Sequence, residues 1–506
     1  MLSQVHNCLN LPEIFIGFVA PIGVDLRPSL RAFENYFANN DYNVIEIKVT
    51  DVFEKFATKL TPTAALQSSP RYERFITYIK YGDQIRTHFD DDRILAATTC
   101  VRIMNRRTTK GKSKPEGNVY LLQQFKRKEE IELLRHVYGR VFFQASVYSR
   151  RGARVDYLAR DFAQAVNIAN PNIYRKNAEE IVQVDENEVS DAHGQQVSAI
   201  FHDADIIINS DVNEYPVEDQ VARFCDLLFG SNKISPTKDE YGMFAAKAAA
   251  LRTIDLSRQV GAAIFTEDGE IISMGSNEVP KAGGGTYWCD TKGHFDDRDY
   301  VREYDSNDRR KTQILTEILE LAGLPNPKDV LASAEIKKSQ FMDALEYGRI
   351  IHAEMSAICD AARLGTSVRD ATLFCTTFPC HMCAKHIVAA GIRRVVFLEP
   401  YPKSLTAELH GDSVMIEGSD RGRYSGYPCV EFIHFCGISP RRYREMFERI
   451  GRKDGNGKFL PWKDNIQQPI IDLKFPFYTE LEQKVFEFTK NYLDPMGLSI
   501  DEIAVI

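Results

Sequence analysis

Two short clusters of metal-binding residue types do most to limit how this chain can fold. IIHAEMSAI places His352 two residues before Glu354, and TTFPCHMCAK places Cys380 and Cys383 in a C-x-x-C behind Pro379, with Cys380 28 positions after His352. For both clusters to reach one point, the chain between them must leave and return. The pattern supplies the means: a helix from Ala353 to Leu364 closed by Gly365, a strand over 371–376, a helix from His381 to Ala390 closed by Gly391, and a strand over 394–398. Ahead of them VGAAIFT and EIISMGSN flank EDG, an Asp-Gly hairpin signal. The spacing predicts a domain in ββαβαβ order.

A C-x-x-C alone can hold a metal, exchange disulfides or be incidental. The upstream H-x-E separates these readings. Both clusters fall at expected helix N-termini, where free N–H groups and the helix dipole favour the thiolate that binds zinc. His352, Cys380 and Cys383 make three ligands and leave a fourth position for a water, whose pKa zinc lowers to about 7. Glu354 then has a task, carrying that water's proton to a ring nitrogen and to a departing amine. A structural zinc would need a fourth ligand from His381, His386, Cys359 or Cys375 and would leave Glu354 without one. A redox pair lacks a thioredoxin-like context.

The remainder of the 506 residues reads as more than one core, and 44% hydrophobic with 26% charged content fits a soluble chain of two or three domains. A net charge of -8 argues against a general nucleic-acid or membrane-surface binder and favours small charged metabolites. Ten scattered cysteines and the absence of Lys or Arg before Arg27 predict reduced thiols, no secretory signal and a cytoplasmic location. The apolar run from Ile14 to Val24 is about half the ~18 residues of a membrane span, so no membrane association is expected.

Strand, turn and helix alternate from Ile14 onward, which predicts a parallel α/β domain over residues 1–230. GFVAPIGVD sits where a phosphate-cradling loop would lie, with Gly17, Gly23, Val24 and Asp25 as candidate nucleotide-binding positions. It departs from the phosphate-loop pattern: Val24 replaces lysine, Asp25 replaces Ser or Thr, and the first glycine comes one residue early. A working kinase is not expected, because phosphoryl transfer depends on the missing charge. Arg150, Arg151 and Arg154 read either as a compensating lid cluster or as a solvated face. GSNKISPTKDE marks a boundary, with Pro236 expected in the first turn of the next helix. The second domain is expected over 236–450 with an insertion at 280–346, followed by an extension over 451–506.

Residues from Ser257 to Tyr401 resemble the cytidine and deoxycytidylate deaminase superfamily, and SRQVGAAIFTEDGEIISMGSNEVP and GIRRVVFLEPY are similar to its deoxycytidylate branch. That resemblance implies a cytidine-deaminase-like α/β/α domain with a mixed five-stranded sheet, one Zn2+ per chain, and Asn277 as a contact to the substrate sugar. A P-loop-kinase-like domain ahead of such a deaminase, with EPYPKSLTAELHGDS and FCGISPRRYREMF behind, resembles the bacterial antiphage deoxycytidine nucleotide deaminases. The layout implies conversion of dCTP, and of dCMP in some members, to the uracil nucleotide. It also implies a homo-oligomer and control by a regulatory nucleotide or small RNA. A housekeeping dCMP deaminase, a polynucleotide cytosine or adenine deaminase, and a switch whose N-terminal domain controls the deaminase remain open.

Overall fold

The structure is a computed structural model, and it describes residues 11–109, 115–186, 196–211, 215–290, 295–324, 326–337, 339–401, 403–449, 451–461, 469, 471 and 476–506. The chain forms two compact units, one of residues 1–236 with 436–506 and one of residues 237–435. The second unit is therefore inserted in the first. Among the described residues no helix is long and apolar enough to cross a membrane.

The first unit begins with β1 (Ile14–Val19), α1 (Arg27–Ala38) and β2 (Asn43–Lys48), followed by α2 (Arg71–Phe89), α3 (Ile94–Thr109) and β3 (Asn118–Gln123). Then come β4 (Phe142–Tyr148), α4 (Arg151–Ala165), α5 (Arg175–Glu186) and β5 (Ile206–Asn209). The sheet order is β5-β4-β1-β3-β2, all parallel, with a two-residue strand Gly437–Ile438 antiparallel to β5 at the edge. Every residue of β1 and β3 is buried, as continuous apolar strands in a sheet covered on both faces should be.

Gly17 lies inside β1, where a Cβ would come 2.7 Å from the Phe142 ring. It gives way to that aromatic side chain and does not form part of the turn. A buried polar knot ties the beginning of this unit to its end. Arg107 donates to Glu13 and Glu482, while Asn118, Tyr120 and Tyr478 also donate to Glu13.

The second unit comprises α6 (Lys238–Ala250), β6 (Gly261–Phe265), β7 (Ile271–Ser276), α7 (Ser306–Leu321) and α8 (Ala353–Leu364), then β8 (Thr372–Thr377), α9 (His381–Ala389), β9 (Arg394–Glu399), β10 (Val414–Ile416) and β11 (Val430–His434). Thr237 caps α6 in a reciprocal capping box with Glu240, which puts Pro236 just outside the helix and not in its first turn. The sheet has six strands, β10-β11-β9-β8-β6-β7, one more than the five expected. Its β6 pairs are antiparallel and the others parallel. With only three residues, β10 is too short to show an alternating pattern.

The expected end of this domain at 450 and the separate extension over 451–506 are not what the structure forms. From Cys436 the chain rejoins the first unit, where Gly437–Ile438 extends its sheet and the helix Tyr478–Leu493 packs on α3. Those contacts span hundreds of residues and leave no local signature.

Candidate metal centre and its cavity

His352 is the N-cap of α8 and Cys380 the N-cap of α9, both with extended backbone, and Cys383 follows in the first turn of α9. The strand-and-helix return read from the sequence thus delivers two helix N-termini to one point. The approach of α8 to the sheet depends on Gly275 in β7, where a Cβ would stand 2.2 Å from the Ala353 carbonyl oxygen. Any side chain there would push away the first turn that carries His352 and Glu354.

His352 Nδ1 lies 3.3 Å from Cys380 Sγ and 3.4 Å from Cys383 Sγ, and the three ligand atoms fall within 4.8 Å of one another. Tetrahedral zinc bonds of about 2.0–2.3 Å place nitrogen and sulfur ligands roughly 3.5 Å apart. The constellation already has those dimensions, and its His/Cys/Cys chemistry fits one zinc ion. Among the described residues no other group of three such side chains comes this close.

The protons in this cluster are unevenly held. Hydrogen bonding from Cys383, joined by His352, pushes Cys380 down to about 4, while its bond with Cys380 pushes the imidazole up to about 9. Cys383 is driven upward by the same thiol pair and by burial. Within the thiol pair the proton is favoured on Cys383, which leaves Cys380 the sulfur better disposed to receive a cation. Glu354 is buried in the first turn of α8, and burial raises its carboxyl above the ordinary range. A carboxylate in that condition accepts a proton readily and can give it up again.

A cavity of about 340 Å³ opens over His352, Glu354 and Cys380. Phe378 and Tyr401 give it flat apolar walls. Arg258, Lys311, Arg349 and Lys403 bring positive charge, and each is paired, with Glu399, Asp308, Asp299 and Asp343 respectively. Asn277 also lines the cavity, and its amide is engaged. Its Nδ2 donates to Asp255 and to the Arg258 carbonyl, and its Oδ1 accepts from the Val260 N–H at 2.7 Å.

The insertion, whose role could not be read from the sequence, supplies a wall of this cavity through Asp299, Asp305, Asn307, Asp308, Lys311, Met342 and Asp343. These residues, together with Arg258, Tyr401 and Lys403, were missed by sequence reasoning. Only the charge density of the insertion hinted at a role.

In the first unit, Gly23, Val24 and Asp25 line a second cavity and Gly17 does not. Gly23 has φ of +91°, and a Cβ there would strike Arg154 at 2.8 Å, so the turn is bound closely to α4. Asp25 is held by its own neighbour, accepting from Arg27 Nε at 2.8 Å and Nη2 at 2.7 Å. The arginines at 150–154 do not form a lid over this cavity. Arg150 pairs with Asp211, and Arg154 is buried and donates to the Ile22 carbonyl.

Comparison with known proteins bears on the second unit. Residues 236–399 match the family model of the cytidine and deoxycytidylate deaminase zinc-binding region. Deoxycytidylate deaminase of Enterobacteria phage T2 is 48% identical over 54 residues, which are 11% of this chain and 29% of the phage protein. Deoxycytidylate deaminase of Pongo abelii is 26% identical over 159 residues, 31% of this chain and 63% of its own. A crystal structure of dCMP deaminase from the cyanophage S-TIM5 in complex with dCMP and dUMP aligns at 19% identity over 39% of this chain and 98% of that one, with a TM-score of 0.22. The chain spans less than two-thirds of the length of these curated relatives. Within the second unit, residues 236–399 are thus similar to the cytidine and deoxycytidylate deaminase zinc-binding region.

Proposed function

We propose that this protein hydrolyses the 4-amino group of a deoxycytidine nucleotide, giving the deoxyuridine nucleotide and ammonia. The observation that carries the reading is the convergence of His352, Cys380 and Cys383 with Glu354 buried beside them, under a cavity with aromatic walls and cationic side chains. Zinc held by the three ligands supplies Lewis-acid activation of water. Glu354 takes one proton from the attacking water and passes it to the ring nitrogen as the oxygen adds to C4. The second proton follows the same carboxylate to the amine, which leaves as ammonia. Phe378 and Tyr401 offer faces for the pyrimidine, and the second lone pair of Asn277 Oδ1 is the part of that residue still available to the sugar.

The four cations offer the phosphates an alternative to their present carboxylates. Preference for dCTP over dCMP, and depletion of the dCTP pool as an antiphage role, are supported by the resemblance of the whole layout. The same resemblance supports a cytoplasmic homo-oligomer under control of a nucleotide or small RNA. The test is to load the purified chain with zinc and offer dCTP, dCMP, CTP, CMP and single-stranded DNA, identifying products by mass. Uracil formation from a free deoxycytidine nucleotide is expected. Formation of a uracil nucleotide from none of these, or only from the ribonucleotides or within the polynucleotide, overturns the proposal.

A further inference from the structure

The cavity of the first unit measures about 420 Å³ and lies between the turn Ala20–Arg27 after β1, Lys48–Thr50 after β2, and Gln123, Gln124 and Lys126 after β3. These are the carboxyl ends of adjacent parallel strands, beside the central strand at which the sheet order reverses. Open α/β sheets leave their ligand crevice at such a place, and the volume falls in the range of about 300–1,000 Å³ typical of small-molecule sites.

One stripe of α2 forms a wall. Arg71, Arg74, Phe75, Tyr78, Ile79, Gly82 and Arg86 recur at helical three- and four-residue spacing and all face the cavity. Six lining residues are basic, whereas Asp25 and Asp161 are the acidic ones. Four of the six are committed: Arg27 to Asp25, Arg71 to Asp161, Arg86 to Asp83 and Glu130, and Lys126 to Asp185. Arg74 stacks over the Tyr78 ring at 4.3 Å and has no carboxylate partner among the described residues.

Two further donors await an acceptor. Arg86 is 3% exposed, yet its Nε has no hydrogen-bond partner among the described residues. Gly82, one turn earlier, puts no side chain in front of it; a Cβ there would stand 3.6 Å from Arg86 Nη1. Gln124 sits at the end of β3 with φ of +77°, and its Oε1 accepts from Thr50 Oγ1 at 2.6 Å, which leaves its amide hydrogens to the cavity. A non-glycine residue held in this region is a strained backbone that a ligand-binding role explains.

The turn after β1 points to what the ligand lacks. The Ile22 N–H donates to the buried Asp185 carboxylate at 2.6 Å, and Lys126 Nζ donates to the same carboxylate at 2.8 Å and to the Ala20 carbonyl at 3.1 Å. A protein carboxylate already occupies the donors that would cradle a polyphosphate chain, and it repels another anion there. Cationic capacity is left on Arg74 of α2 and on Lys48 at the end of β2, next to aromatic faces and a free amide.

We propose that this cavity binds a nucleoside monophosphate and does not transfer its phosphate. The phosphate meets Arg74, the base lies against Phe75 and Tyr78 of α2 and against Phe53, which also lines the cavity, and the Gln124 amide reads the base edge. Calorimetric titration of the full zinc-loaded chain with dTMP, dGMP and AMP tests this, with dTTP, thymidine and inorganic phosphate as comparison arms. Cytosine nucleotides are omitted because they would engage the other cavity. The expected result is one monophosphate bound per chain, with dTTP, thymidine and phosphate each weaker by at least about tenfold.

Arg74→Ala should weaken binding by about tenfold or more while zinc content and melting temperature hold. Gln124→Gly removes the amide and relieves the backbone at once, and should also weaken binding in folded protein. Absence of binding by every monophosphate, dTTP or phosphate binding as tightly as the monophosphate, or indifference to both substitutions would each overturn the proposal.

Discussion

Replacing Glu354 by glutamine separates the role of the carboxylate from that of the metal. The side chain is buried and carries a carboxyl raised by burial, and glutamine keeps its volume and one carbonyl oxygen, so no void opens in the first turn of α8. His352, Cys380 and Cys383 are untouched, and zinc should remain at one per chain. The loss falls on proton transfer. A positioned acid–base group contributes about 10²–10⁴-fold, and here one carboxylate serves both the uptake and the delivery of protons, which places the expected loss near about 10⁴-fold, or about 5.5 kcal/mol in the barrier. The measurement is single-turnover formation of the uracil nucleotide at saturating substrate, with metal content determined on the same sample. A fully metallated variant within about tenfold of the parent rate would refute the assignment and turn attention to Asp255, another carboxyl lining the cavity. Loss of zinc would refute the division of labour itself, because Glu354 would then be supporting the ligands.

Cys383→Ser should bring zinc below one per two chains and abolish turnover, whereas chelation of the parent enzyme should be reversed by added zinc; metal analysis beside activity checks both. Gly275→Ala removes no polar group, yet its Cβ would meet the Ala353 carbonyl at 2.2 Å, so overpacking of about 1–3 kcal/mol and reduced zinc occupancy are expected together. An alanine variant with unchanged melting temperature and full zinc would show that α8 yields freely. Arg107→Met leaves Glu13 and Glu482 buried without their shared cation, a loss of about 3–5 kcal/mol. It should lower the melting temperature by roughly 10 °C, and pairing it with Glu482→Gln should restore part of the loss.

The metal centre was legible because its geometry is local at each end. His352 and Cys380 each begin a helix, and the pattern between them has one compact solution, a strand laid beside its predecessor. The first two strands were equally readable, β1 from a continuous apolar run and β2 from alternating apolar and charged residues. What could not be read depended on partners distant in the chain. Gly17 resembled the opening of a phosphate loop, but its small size answers to Phe142 on the neighbouring strand. Asp185 fills the turn at Ile22 from a helix more than a hundred residues later. The role of the insertion was unreadable because its wall over the zinc cavity is held by ion pairs, Lys403 with Asp343 and Lys311 with Asp308, and charge pairing has no period to detect.

The insertion of one unit within the other sets an order of events at the ribosome. Gly437–Ile438, which covers the edge of the first sheet, and Glu482, which completes the knot at Arg107, follow roughly two hundred residues of the second unit. At about 5–20 residues per second that separation amounts to some 10–40 s of synthesis. Throughout it the first unit has its central strands but neither its last edge strand nor the counter-ion that its buried arginine shares with Glu13. The nascent chain must carry that unfinished edge until the second unit has emerged.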